Sequence, residues 1–167
     1  LTISGKEYDK FAMRLKILWP GKTRSRPLKE LQDAYLKKIN TLEKCELIET
    51  KEARGLAERE VKKILEIEAA GLEKQIKDDY IICLFDKGKE MDSEDFARFL
   101  EEKGSNSVNG ITFIVGGFKG LAEGILMRAN VLLSLSKMTF SHELTRIVLL
   151  EQIYRSLSIM HGRQYAK

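Results

Sequence analysis

Apolar positions along the chain switch repeatedly between the two-residue period of a strand and the 3.6-residue period of a helix. Leu15, Ile17 and Trp19 alternate with Lys16 and Leu18 until Pro20-Gly21 breaks the run, as in a short strand that ends in a loop. Leu28, Leu31, Tyr35, Ile39 and Leu42 then recur at helical spacing, with Pro27 near the first turn, where its missing N–H costs nothing. Cys45 to Glu49 reads as a second strand, and Val61, Ile64, Leu65 and Leu72 mark one face of a long charged helix over about residues 54–77. Tyr80 to Phe85 is a continuous apolar run rich in β-formers, the pattern of a strand covered on both faces. Asp86 to Glu90 reads as a polar loop, and Asp92 or Ser93 as the cap of a helix whose Phe96, Phe99 and Leu100 face inward. Ile111 to Val115 is another buried strand, opening into Gly116-Gly117-Phe118-Lys119-Gly120 and a short helix over about 121–128. Val131 to Leu135 is the fifth, and Ser141 caps a last helix carrying Leu144, Val148, Ile153 and Leu157.

Five strands, each followed by a helix, predict an α/β fold. Parallel neighbours need long crossovers, so the expected architecture is a mostly parallel five- or six-stranded sheet with helices on both faces. The 167 residues suit one packed domain. We assign it to residues 13–167 and read residues 1–12, ahead of Met13, as an N-terminal extension.

Composition narrows the classes. With 43% hydrophobic and 32% charged residues and only two prolines, disordered, collagen-like and mucin-like chains are excluded. No apolar run approaches the roughly 18 residues of a membrane span. Cys45 and Cys83 lie far apart in apolar segments and read as buried free thiols, which suits a cytoplasmic protein. The net charge of +4 hides a pattern. Residues 1–40 hold ten basic and four acidic side chains, residues 41–102 eleven and eighteen, and residues 103–167 eight and three. Basic ends flanking an acidic middle can meet phosphates if the fold brings those ends together.

In open α/β sheets ligands collect beyond the carboxyl ends of the strands, which directs attention to loops 86–90, 116–120 and 136–140. Gly116, Gly117 and Gly120 allow close approach of backbone N–H groups, but neither the dinucleotide fingerprint nor the P-loop ending is present. His142 and His161, the only histidines, have no partner at metal-ligand spacing, so no metal site is expected. His142 falls in the first turn of the last helix and His161 near its end; Asp86 and Glu151 are unpaired carboxylates.

Three stretches now matter together: Leu84 to Ala97, Ile114 to Gly120, and Leu133 to Arg155 with Ser134-Leu-Ser-Lys-Met-Thr-Phe140 at its head. They resemble the RlmH family, SPOUT-superfamily methyltransferases that methylate N3 of a pseudouridine in 23S rRNA of the large ribosomal subunit. Pro20-Gly21-Lys22 and Tyr35-x-x-Lys38 match more loosely, and the resemblance runs from about Met13 to the C-terminus. It implies a deep trefoil knot in the C-terminal portion and a homodimer acting on the ribosome. It also implies S-adenosyl-L-methionine as cofactor, wrapped by Leu84, Gly116, Leu135, Ser136, Lys137, Met138, Thr139 and Phe140. On this reading a side chain at Gly116 would take cofactor space. The family tail reads Tyr-His and a basic residue; here it is Tyr165-Ala166-Lys167, so Tyr165 and Lys167 carry over as catalytic candidates and the histidine does not. The N3 proton is then left to hydroxide, Tyr165 or His161. Two other readings stand beside the enzyme: a non-catalytic RNA-binding module of SPOUT fold, and a SPOUT methyltransferase acting on tRNA.

Overall fold

The computed structural model describes residues 13–106 and 109–165, so the expected extension at 1–12 and the candidate Lys167 lie outside the described residues. The elements run β1 (Arg14–Pro20), α1 (Arg26–Asn40), β2 (Lys44–Thr50), α2 (Val61–Glu73), β3 (Tyr80–Glu90), α3 (Ser93–Asn106), β4 (Ile111–Ile114), α4 (Glu123–Leu126), β5 (Val131–Ser134) and α5 (His142–Met160). The strands form one five-stranded sheet in the order β2-β1-β4-β3-β5. Every pairing is parallel.

Strand alternation divides the core. Leu15, Ile17 and Trp19 of β1, Ile82 of β3 and Ile111 and Phe113 of β4 point to the face covered by α1, α3 and α5, where they meet Ile39, Phe96, Leu100, Leu149, Leu150, Ile153 and Leu157. Leu18, Ile81, Cys83 and Ile114 point to the other face, under Leu72 and Ile76 at α2 and Ile125 of α4. Both thiols are free and buried, and burial pushes each up to about 12.

Caps follow the sequence. The Asp92 carboxylate accepts from the Asp95 N–H at 2.7 Å to open α3, and the Ser141 hydroxyl accepts from the Leu144 N–H at 3.3 Å to open α5. Three expectations are corrected. The helix expected over 54–77 is confined to Val61–Glu73, and the one over 121–128 to Glu123–Leu126, although Ile76, Leu121, Ala122 and Ala129 beyond their ends belong to the same apolar cluster. Leu31, expected inward on α1, is 46% exposed; the helix turns Gln32 inward instead.

A fourth correction bears on function. Asp86 to Glu90 is not a loop but the continuation of β3 along β5. Both Leu84 and Lys89 stand opposite Leu133, with a register shift between them, and Glu90 stands opposite Ser134. Gly88 permits this: a Cβ there would lie 2.7 Å from the carbonyl carbon and oxygen of Leu132.

Candidate functional site

The middle of β3 and the two chain segments that leave the carboxyl ends of β4 and β5 converge on one cleft of about 440 Å³. Leu84, Phe85 and Asp86 line it from β3, Val115 to Leu121 from the segment after β4, and Leu133 to Ser136 with Met138, Thr139 and Phe140 from the end of β5 and the segment after it. His142 and Thr145, in the first turn of α5, complete the wall. Among the expected binding residues Leu84, Gly116, Leu135, Ser136, Met138, Thr139 and Phe140 lie on this lining; Lys137 belongs to the same loop but is not part of it.

Local sequence holds each loop in shape. After β4 the Gly120 N–H donates to the Gly117 carbonyl at 3.0 Å, and Gly120 sits at φ +80°, a conformation that favours glycine. A Cβ on Gly116 would approach the Gly120 carbonyl carbon to 2.5 Å, so a side chain at Gly116 meets its own loop. After β5 the Ser136 hydroxyl accepts from the Met138 N–H at 2.9 Å while the Ser134 hydroxyl donates to the Ser136 carbonyl at 3.0 Å, a side-chain turn that curls the segment over the cleft.

The first turn of α5 is anchored from beneath. Arg146 is 1% exposed; its guanidinium donates to the Pro20 carbonyl at 2.7 Å and to the Thr23 hydroxyl at 3.1 Å, and stacks 4.8 Å from the Trp19 ring centre. Thr23 in turn donates to Gln32 at 2.6 Å, so a buried polar chain joins α5, the β1–α1 loop and α1. Above it the Glu143 carboxylate accepts from the backbone N–H groups of Arg24 and Ser25. These contacts fix the β1–α1 loop, with Lys22 and Arg24, beside the α5 end of the cleft. Glu68 of α2 accepts from the Ala53 N–H at 3.3 Å and backs the Gly117 turn, and burial pushes its carboxyl above the ordinary range.

Comparison with known proteins agrees with this architecture. The family profile described as "Predicted SPOUT methyltransferase" matches residues 13–166, more than nine-tenths of the chain. The chain belongs to that family. Its relatives include proteins named "Ribosomal RNA large subunit methyltransferase H" from Thermodesulfovibrio yellowstonii, Caldicellulosiruptor saccharolyticus and Acholeplasma laidlawii. The first is 40% identical over 91% of this chain and 97% of its own length. The second is 40% identical over 92% and 99%, and the third 39% identical over 93% and 100%. A solved structure of a probable methylase family protein from Haemophilus influenzae Rd KW20 superposes with a TM-score of 0.50 at 12% identity, over 92% of this chain and 70% of that one, a likeness of fold alone.

In this SPOUT methyltransferase the catalytic candidate Tyr165 is not at the cleft. Its ring lies 5.1 Å from that of Tyr154 and under the guanidinium of Arg155 at 4.3 Å. Tyr154 is nine residues along α5 from Thr145, about 14 Å at the helical rise. Burial and a hydrogen bond with Tyr35 push the Tyr165 phenol above its ordinary range. His161, just past α5, has its ring 3.0 Å from the Glu43 carboxylate, again at the far end of the helix. Glu151 is paired with Arg155 at 2.7 Å. Among the described residues no cluster of three metal-binding side chains occurs, and no helix is long and apolar enough to cross a membrane.

Sequence reasoning missed Arg146, Thr23, Gln32 and Glu68. For Arg146 the available signal was a lone arginine directly ahead of the apolar helical run Ile147 to Leu150, where a charge turned to the interior requires a partner.

Proposed function

We propose that the protein methylates 23S rRNA of the large ribosomal subunit, at N3 of a pseudouridine, with S-adenosylmethionine as the donor. The observation that carries this reading is near-full-length likeness, at about 40% identity, to proteins named as large-subunit rRNA methyltransferases. Those names favour it over a non-catalytic RNA module and over a tRNA enzyme. The cleft supports the choice of donor: its volume of about 440 Å³ suits a small-molecule cofactor. Leu84, Leu135 and Phe140 supply apolar surface for a purine, and Gly116, Ser136, Met138 and Thr139 supply backbone polar groups close to it.

When bound, the donor supplies a methyl group on a sulfonium centre. The chain contributes position: the loops hold the donor, and the basic β1–α1 loop beside the cleft offers Lys22 and Arg24 to RNA phosphates. The same reading includes a deep trefoil knot in the C-terminal portion, residence in the cytoplasm and a homodimer. Tyr165 lies too far along α5 to serve the cleft of its own subunit, so it acts, with Lys167, on the cleft of the partner subunit.

Incubating the protein and labelled S-adenosylmethionine with ribosomes that lack the modification, followed by mass spectrometry of rRNA nucleosides, tests the proposal. The expected product is one N3-methylated pseudouridine in 23S rRNA. Label appearing only in tRNA, or in no RNA, overturns it.

A further inference from the structure

We infer that His142 is the residue of the cleft that accepts the N3 proton of the target base. The inference rests on the methyl transfer proposed above and assigns a step within it. N3 of a pyrimidine dione carries a proton and must lose it to attack a methyl carbon. An acceptor of this kind has to lie in the cleft, be neutral at working pH and have a lone pair open to the substrate.

The cleft lining contains three titratable side chains, Asp86, Lys119 and His142. Lys119 is an ammonium with donors only; it lies 3.9 Å from the Glu58 carboxylate and 4.5 Å from the Phe118 ring centre. Carboxylates as a class are weaker bases than imidazole. His142 stands on the first residue of α5, and among the described residues its ring nitrogens make no hydrogen bond. The ring meets the edge of Phe118 instead, with centroids 6.2 Å apart and planes at 82°. Phe118 is 67% exposed at the mouth of the cleft, an aromatic surface on which an incoming base can stack beside the imidazole.

Burial above all favours the neutral ring. Burial lowers the His142 pKa first, and Arg146 on the same helix and Arg24 of the β1–α1 loop lower it further, against Glu143 and Glu52, which raise it. Arg146, Lys119 and the positive end of α5 also favour an anionic N3 close by. In the step itself the N3–H bond breaks and its proton passes to the imidazole and then to water; the electron pair left on N3 becomes the new N–CH3 bond as the donor's S–CH3 bond breaks, its electron pair staying on sulfur as a neutral thioether. The other imidazole, His161, lies beside Glu43 at the opposite end of α5, and the Tyr165 phenol, which reaches only the partner's cleft, has its pKa pushed above the ordinary range and stays protonated at working pH.

The test combines the wild-type protein with His142→Asn, which keeps a polar side chain but does not titrate near neutrality. The pH profile of kcat/KM on ribosomes lacking the modification is set beside an NMR titration of the two histidine rings. Calorimetry of S-adenosylmethionine binding and thermal unfolding are run on both proteins. The expected result is an acid limb in the wild-type profile that coincides with the His142 ring pKa, below the ordinary value of about 6.5. In His142→Asn the limb vanishes and kcat falls about a hundredfold or more, with donor binding and Tm retained. Wild-type kcat and profile in the variant overturn the assignment, as does a wild-type limb that departs from the ring titration. The latter comparison decides alone if the variant fails to fold. Absence of methyl transfer by the wild-type protein overturns the underlying function and the assignment with it.

Discussion

Arg146 shows how one side chain serves a site it does not enter. Its charge lies in the interior, satisfied by the Pro20 carbonyl and the Thr23 hydroxyl, and through them the first turn of α5 is held against the β1–α1 loop. Replacing it by alanine strands those acceptors and opens a void beside Trp19, so Arg146→Ala is expected to lose about 3 kcal/mol in urea unfolding. At this scale the cleft residues Leu84, Gly116, Leu135, Ser136, Met138, Thr139 and Phe140 were named by the family resemblance, while the strand pattern by itself pointed to the segments 116–120 and 136–140. The crowding of Gly116 by the Gly120 backbone was not readable, because Gly120 is a neighbour only once the turn has closed. Arg146 was illegible in its role, since its acceptors lie more than 120 residues away.

Elements were legible where their signal is local. The apolar run Tyr80 to Phe85 and the Asp92 and Ser141 caps appear in the structure as read. The segment Asp86 to Glu90 was misread because its polar residues and central glycine have the composition of a loop, while its strand character comes from pairing with β5. Gly88 is the point at which that pairing can be tested. In Gly88→Ala the added methyl group meets the Leu132 backbone, and the contact between β3 and β5 must open. The expected cost is about 1–3 kcal/mol in denaturant unfolding, with weaker hydrogen-exchange protection along β5. Because β5 leads into the loop that roofs the cleft, affinity for S-adenosylmethionine in calorimetry is expected to fall too.

For the whole molecule, the sheet order β2-β1-β4-β3-β5 decides what lies next to what. It brings the middle of β3 and the ends of β4 and β5 together at one cleft and leaves Tyr165 at the opposite end of α5. A dimer in which each tail serves the other subunit's cleft has a distinct signature. A protein truncated after Gly162 is expected to bind S-adenosylmethionine but transfer no methyl group. A second protein with a disabled cleft, such as Gly116→Leu, is expected to be inactive as well. Mixing and refolding the two restores up to about a quarter of wild-type activity, because random pairing makes half the molecules mixed dimers and each has one complete site. Two inactive parents that remain inactive when mixed count against the shared site.

The sequence by itself determined the class of fold, a mostly parallel sheet of five or six strands, the two-sided burial of the central ones and two of the three segments, 116–120 and 136–140, that border the cleft. Periodicity, capping and turn chemistry act within a few residues and can be read along a line. The tertiary structure alone decided the order of the strands, the continuation of β3 along β5, the buried chain from Arg146 through Thr23 to Gln32, and the separation of Tyr165 from the cleft. Each depends on groups far apart in sequence meeting in a dry interior. There an unpaired charge or polar group is costly enough for the partner found across the fold, rather than local preference, to set the arrangement.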